Sequence, residues 1–365
     1  MNKGDVQLKE FTNAKILALF LALILVIASG CSSSSSNEET GNTGSSSDDS
    51  GSNEETFTIT LAHSGPSEGT GIQEALLKLK NEIEEKSDGR IKFELYPNGQ
   101  LGGEREVLEG VQNGNITATF TTTGVAGNFV PEMEIFDIPF VLESKEQARH
   151  AIREGGPVLE KLGPKFEEKG LKLLGFGDEG FRVLSTKDLP VKSVEDLKGL
   201  KVRTQESSNH IDAWNALETN PTPIPFPELY TALQQGTVDA QETPFEIIAM
   251  SKLYEVQKYA IDMKMVYQYF PIMMNLEFYQ SLPDDLKAIV DDCFSEALQN
   301  AIAFTDERDE EYVKTLEDNG VEVSEITGEG LKPFREKAQP IVLKNVREKI
   351  GDELVDLYLE EASSK

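Results

Sequence analysis

Two arginines stand on strand-like runs of an otherwise acidic chain, Arg182 in GFRVLS and Arg203 in LKVRTQ. A guanidinium set among small apolar strand residues needs an anion, and its planar fork makes two parallel charge-assisted bonds to one carboxylate. That carboxylate is either one of the 64 acidic side chains of the protein or part of a bound solute. The sequence leaves both open for each arginine, along with an exposed edge position. The chemistry on offer is capture of an organic anion, with no bond made or broken.

Nothing else in the chain nominates a reaction. The segment Gly175-Phe176-Gly177-Asp178-Glu179-Gly180 has the G-x-G-x-x-G spacing and follows a strand. A dinucleotide site requires a helix to open there, so that its N-terminus meets the pyrophosphate. Here the strand-like FRVLST follows, and the expectation is a Gly-rich turn. No phosphate-binding loop, nucleophile elbow, H-E-x-x-H or cysteine cluster is found. His63, His150 and His210 are scattered without metal-ligand spacing, so neither a metal nor a cofactor is expected. The acid pairs Asp284-Asp285, Asp291-Asp292 and Glu310-Glu311 read as solvated helix faces, and Cys293, in an apolar helical pattern, as core.

The frame that must position the arginines is an α/β one. At 365 residues the chain is long enough for two domains, and its net charge of −29 argues against a nucleic-acid partner. Phe57–His63 and Ile91–Pro97 read as strands around a helix at Ile72–Lys86. A helix at Glu104–Asn113 and a strand at Ile116–Thr121 follow, giving two βαβ steps and a parallel sheet. Strands are expected at Leu171–Phe176, Phe181–Thr186, Leu200–Thr204, Thr237–Ala240, Val256–Ala260 and Met263–Met274, with helices at Ser208–Leu217 and Glu228–Gln235. An amphipathic run from Pro283 to Asn319 is long enough, as one helix of about 50 Å, to cross between two lobes. Helices near Leu331–Arg347 and Asp352–Glu361 close the chain.

The N-terminus reads as an export signal. Lys3, Lys9 and Lys15 precede the apolar run Ile16–Ala28, too short for a resident span, and Ala28-Ser29-Gly30-Cys31 looks like a lipobox. Lipidation of Cys31 is expected. Ser32–Thr56 has no apolar residue and should remain a hydrated tether.

From Leu95 to Asn275 the chain resembles the solute-binding subunits of TRAP transporters, the DctP-type family. The likeness is carried by Tyr96–Gly114 (YPNGQLGGEREVLEGVQNG), Phe129–Phe140, Asp196–Gln205 (DLKGLKVRTQ), Asn220–Pro244 and Leu253–Tyr259. The resemblance implies a two-lobed periplasmic-binding-protein-like fold, with crossing strands, a long interlobe helix and a ligand cleft. It implies an organic carboxylate, a C4-dicarboxylate or sugar acid, delivered to a membrane permease. By that likeness Arg203 grips the ligand carboxylate and Arg182 is a second arginine of the site. Phe226, Gln241–Pro244 with Thr243, His63-Ser64 and Thr121–Thr123 with Thr122 would border the cleft, and Glu206 would accept from ligand hydroxyls or pair with an arginine. Thr243 stands where the family commonly has Asn, which implies a roomier and less polar corner.

The resulting division is a signal peptide at 1–30, a tether at 31–56, lobe I at 57–180 with 269–308, lobe II at 181–268 with 309–345, and a C-terminal helix at 346–365. The expected protein is extracytoplasmic, lipid-anchored and not an enzyme. A sensory receptor presenting ligand to a membrane kinase is the alternative; neighbouring genes for permease subunits or for a kinase would separate the two.

Overall fold

The computed structural model describes residues 55–364. The expectations for the signal peptide, Cys31 and nearly all of the tether lie outside the described residues. Residues Glu54–Lys365 form one compact unit by themselves.

Eleven strands occur among the described residues: β1 (Phe57–Ala62), β2 (Ile91–Tyr96), β3 (Ala118–Phe120), β4 (Leu171–Phe181), β5 (Val183–Thr186), β6 (Lys201–Thr204), β7 (Asn220–Pro223), β8 (Ala240–Thr243), β9 (Tyr259–Asp262), β10 (Tyr267–Asn275) and β11 (Glu322–Glu325). They build two mixed sheets, β2-β1-β3-β10-β4 and β11-β9-β5-β8-β6-β7. The expected βαβ steps are present, with β1 parallel to both β2 and β3. The first sheet is completed by β10 and β4, which run antiparallel to one another. The chain leaves β4 for β5 across Arg182, and returns from β9 to β10, so these strands carry the connections between the lobes.

Apolar spacing explains the packing. In the helix Gly71–Lys86 the buried Ile72, Ala75, Leu76, Leu79 and Ile83 form one stripe against the first sheet, and the Thr70 side chain caps its N-terminus. The helix Asp284–Asp318 is unbroken. Its N-terminal half gives Val290, Phe294 and Ala301 to the first sheet's core; its C-terminal half gives Tyr312 and Leu316 to the second sheet's core. It therefore spans both lobes. The helices Lys332–Ile350 and Asp352–Ser363 put Phe334, Val342 and Tyr358 into a third core that joins elements of both sheets.

Several boundaries differ from the sequence expectation. Gly175–Gly180 is not a turn: β4 runs straight through it, with register shifts against β10. The turn glycines serve close packing instead, since a Cβ on Gly177 would lie 2.2 Å from the Phe270 ring. The strand placed at Thr237–Ala240 is Ala240–Thr243, because Gly236 ends the preceding helix in the left-handed conformation and Thr237 is still within that cap. The strand placed at Val256–Ala260 begins at Tyr259. Cys293 is buried and unpaired, and the three acid pairs are exposed on the long helix, as their patterning required.

Candidate functional site

Arg203 is the third residue of β6, and its side chain is buried. Its Nε donates to the Ile224 carbonyl at 2.8 Å, and its guanidinium carbon lies 6.0 Å from the centre of the half-buried Phe226 ring. Among the described residues no carboxylate lies within ion-pair distance of it. Burial, and then the neighbouring Arg182 charge, lower its pKa to about 10.

Arg182, equally buried, is in the opposite situation. Its Nε donates to Glu242 Oε2, one Nη to the Glu242 carbonyl and the other to Gln268 Oε1. Of the readings open for Arg182, the protein salt bridge is present. Glu242 arrives opposite Leu184 through the antiparallel pairing of β8 with β5. Burial opposes its ionisation, but the Arg182 and His210 charges win and hold its pKa down to about 2.

His210 completes this network. Its Nδ1 is 2.9 Å from Glu242 Oε1, and its Nε2 lies 3.6 Å from Asp137 and 2.9 Å from the Gln205 amide nitrogen. A protonated ring is served there by the Gln205 oxygen, which is otherwise buried without a partner, once the amide is turned. Burial favours the neutral ring, yet Glu242 and Asp137 together raise its pKa to about 9, so it is an imidazolium at neutral pH. Asp137 also accepts from Thr123 Oγ1 at 3.0 Å and Ser207 Oγ at 2.7 Å. A buried polar chain thus runs from the loop after β3, through the helix that follows β6, to the crossing strands. His210 has no metal-ligand spacing to mark it in the sequence; its signal is its place in a helix that opens five residues after Arg203.

Beside Arg182 lies a small cavity of about 40 Å³. The segments after β1, β2 and β3 contribute Ser64, Glu104 and Thr122; the turn after β7 and the end of β8 contribute Phe226 and Thr243; β4 and β10 contribute Glu179, Gln268 and Phe270. That volume is far below the roughly 300–1,000 Å³ of a formed ligand pocket, so a drug-sized or sugar-sized solute needs these walls to separate.

Of the residues expected at the site, Arg182, Phe226, Thr243 and Thr122 share this cavity. Arg203 sits behind Phe226. His63 sits behind Phe120: the rings stack at 4.7 Å, Nε2 meets Gln73 at 2.9 Å, and Nδ1 is buried with no partner. Burial lowers the His63 pKa to about 4, so the ring is neutral. Glu206 is half-buried and outside the cavity wall; burial raises its pKa. Glu104 and Glu179 were not anticipated. Glu104 opens a helix directly after Gly102-Gly103, and its carboxylate accepts from Thr122 N and Oγ1, both at 2.8 Å, and from Ser64 Oγ at 3.3 Å. That position at a helix N-terminus was the available signal.

A second cavity of about 330 Å³ adjoins the first through Glu179, with Lys145, Lys264, Glu246 and Asp309 on its walls. Glu246 Oε1 accepts from Gly71 N at 2.7 Å, Tyr312 OH at 3.1 Å and Thr305 Oγ1 at 3.2 Å, while Oε2 is buried without a partner. Burial raises its pKa to about 7. No group of three or more His, Cys, Asp or Glu among the described residues is arranged to hold a metal, and no described helix is long and apolar enough to cross a membrane.

Among the described residues the arrangement offers a buried guanidinium without a paired carboxylate, beside a small cavity lined by residues of both sheets' ends. Known proteins show what the chain is similar to. A solute-binding protein of Verminephrobacter eiseniae is 40% identical over 243 residues, covering 66% of this chain and 72% of the relative. The C4-dicarboxylate-binding periplasmic protein DctP of Rhodobacter capsulatus is 31% identical over 280 residues, covering 76% and 83%. The crystal structure of the sugar acid binding protein DctPAm of Advenella mimigardefordensis, in complex with galactonate, superposes with a TM-score of 0.80 at 28% identity, covering 84% of this chain and 98% of that one. With the family model for bacterial extracellular solute-binding protein family 7 (DctP) matching residues 61–349, the chain belongs to that family of two-lobed TRAP solute-binding proteins.

Proposed function

We propose that this protein is the extracytoplasmic receptor of a TRAP-type secondary transporter, that it closes on a small organic carboxylate held by Arg203, and that it delivers the solute unchanged to the membrane permease. The observation that carries the reading is the buried Arg203 guanidinium without a carboxylate, beside an Arg182 that already has one. An unpaired buried charge is costly, and a solute carboxylate relieves that cost only when the lobes close over it. Closure excludes water and strengthens the bidentate pair, so the ligand stabilises the closed state by its differential contacts. Relatives that bind a C4-dicarboxylate and a sugar acid support the solute class.

The closing bodies are residues 57–180 with 269–308 and 181–268 with 309–345, followed by a C-terminal helix at 346–365. Lipidation of Cys31, after removal of residues 1–30, anchors the receptor at the membrane surface by the Ser32–Thr56 tether. Palmitate labelling that is lost in Cys31→Ala tests the anchor.

Calorimetry with a panel of organic acids on residues 54–365 tests the receptor reading. One or more acids should bind, with Arg203→Lys losing most of the affinity because an ammonium cannot form the fork. Wild-type affinity in that variant would reject the assignment of Arg203. Recovery of a chemically altered solute would reject a pure binding role.

A further inference from the structure

The strand that carries Glu179 is irregular at that residue. Gln268 pairs with Gly180 and Tyr269 with Asp178, so Glu179 has no partner in β10 and forms a bulge. Gly180, at φ +91°, supplies the left-handed backbone that the bulge requires. Bulges re-aim side chains, and this one separates two adjacent acids. Asp178 turns to Arg149 and Tyr267, whereas Glu179 enters the wall of the small cavity beside Arg182 and Gln268. Among the described residues the Glu179 carboxylate has neither a hydrogen bond nor an ion pair. The GFGDEG run, without a role as a nucleotide motif, is thereby explained as the segment that presents Glu179.

The rest of that end of the cavity is rich in acceptors. Glu104 lines it with a carboxylate held by Thr122 and Ser64. The unpartnered Nδ1 of neutral His63 lies beside Gly65, another wall residue. The one cation in the wall, Arg182, is occupied by Glu242 and Gln268. Of the two arginines, only Arg203 remains to meet an anion.

Resting on the receptor reading above, we propose that Glu179 and Glu104 are specificity-determining residues that select a monocarboxylate bearing hydroxyl donors at its far end and reject a second carboxylate there. One carboxylate satisfies Arg203. Hydroxyls at the other end donate to Glu104 and Glu179, and a site built to bond such donors discriminates strongly against groups that cannot donate. A second carboxylate instead meets the Glu104 carboxylate in a desolvated corner. Burial, and then Glu246 and Glu104, push the Glu179 carboxyl well above the usual carboxylate range, so that it resists ionising there, and the same surroundings act on a solute anion placed beside it.

Titration calorimetry at neutral pH, on residues 54–365, with acids differing only at one end provides the test: gluconate against glucarate, and 4-hydroxybutyrate against succinate. The hydroxy monocarboxylate of at least one pair should bind about 100-fold more tightly than its dicarboxylate. In Glu104→Gln/Glu179→Gln that ratio should fall to about tenfold or less, mainly by gain of the dicarboxylate, and each single variant should move part of the way. Glu195→Gln, exposed and outside the wall, should leave the ratio unchanged. A dicarboxylate that binds the wild type as tightly as its partner overturns the proposal, as does a ratio unmoved in the single and double variants. If no acid in either pair or in the wider panel binds, the receptor reading itself falls; if other acids bind and only the ratio fails, this inference falls alone.

Discussion

Arg182 and Arg203 are equally buried, each at 3% exposure, and each extends from a strand of the second sheet or its entry. Their surroundings differ in one respect. Arg182 is held by a carboxylate, a carbonyl and an amide, whereas Arg203 is fixed only through its Nε, with its charge left over. A fold stabilises the first arrangement by pairing and tolerates the second only where something else supplies the anion. On the proposed function, the saturated arginine is architecture and the unsaturated one is the receptor.

Removing the anion from the architectural side should have the largest effect. Glu242→Gln leaves Arg182 and the His210 imidazolium buried without their common counter-charge, and breaking such a pair costs about 3–5 kcal/mol. Thermal unfolding of the variant should show a loss of that size, with solute binding failing because the cavity wall collapses. A Tm within about 2 °C of wild type would make the two arginines equivalent and remove the contrast.

On the receptor side the same reasoning predicts the reverse for stability. Arg203→Met removes an unpaired buried charge and keeps apolar volume over Phe226. The unliganded variant should be as stable as wild type or more so, while affinity for an organic acid falls by about 3 kcal/mol or more. Tm without solute and Kd by calorimetry, measured on one sample, separate the effects. A large stability loss would show that Arg203 has a structural anion after all.

Much of this was legible in the sequence. Apolar periodicity set the helices at Gly71–Lys86 and Asp284–Asp318 and the first βαβ steps, because there each side chain's burial follows from its own spacing. Both arginines were visible as cations on strands. Which of them was free was not visible, since Glu242 and Gln268 reach Arg182 from 60 and 86 residues away. Glu179 was hidden for a related reason: its direction depends on a register shift against β10, and register belongs to the pair of strands. His210 was hidden because burial alone implies a neutral ring; its charge comes from two acids distant in sequence.

The charge on His210 gives the architectural side a pH signature. Its folded pKa, raised to about 9, lies above the ordinary 6.5. Its stabilising contribution is therefore complete below pH 6.5 and is lost as pH rises through 9. Stability at pH 9 should be lower than at pH 7 by on the order of 1–3 kcal/mol. Glu246, whose pKa is raised to about 7, favours the folded state most when protonated, so its contribution fades between pH 4.5 and 7 and does not shape the upper window. His210→Gln should flatten the decline from pH 7 to 9 and lower the starting value. An unchanged slope would mean that the ring is neutral and that Glu242 is held by Arg182 alone.

The smallest expected effect lies at Thr243, where the two sides meet. This residue ends β8, one position after Glu242, and its buried side chain lines the small cavity without a hydrogen bond of its own. Thr243→Asn adds a carbonyl acceptor and two donors to that corner. One net hydrogen bond to a solute is worth about 1 kcal/mol, so affinity should change about fivefold and in opposite directions for different acids: upward for a solute whose polar group reaches the amide, downward for one that leaves it buried and unpaired. The variant's Tm should stay near wild type, because Thr243 pairs with Val183 through the backbone and the substitution leaves that ladder intact. Equal changes for every acid would show that position 243 alters only the ease of closure; a change in rank order would place solute choice at this corner.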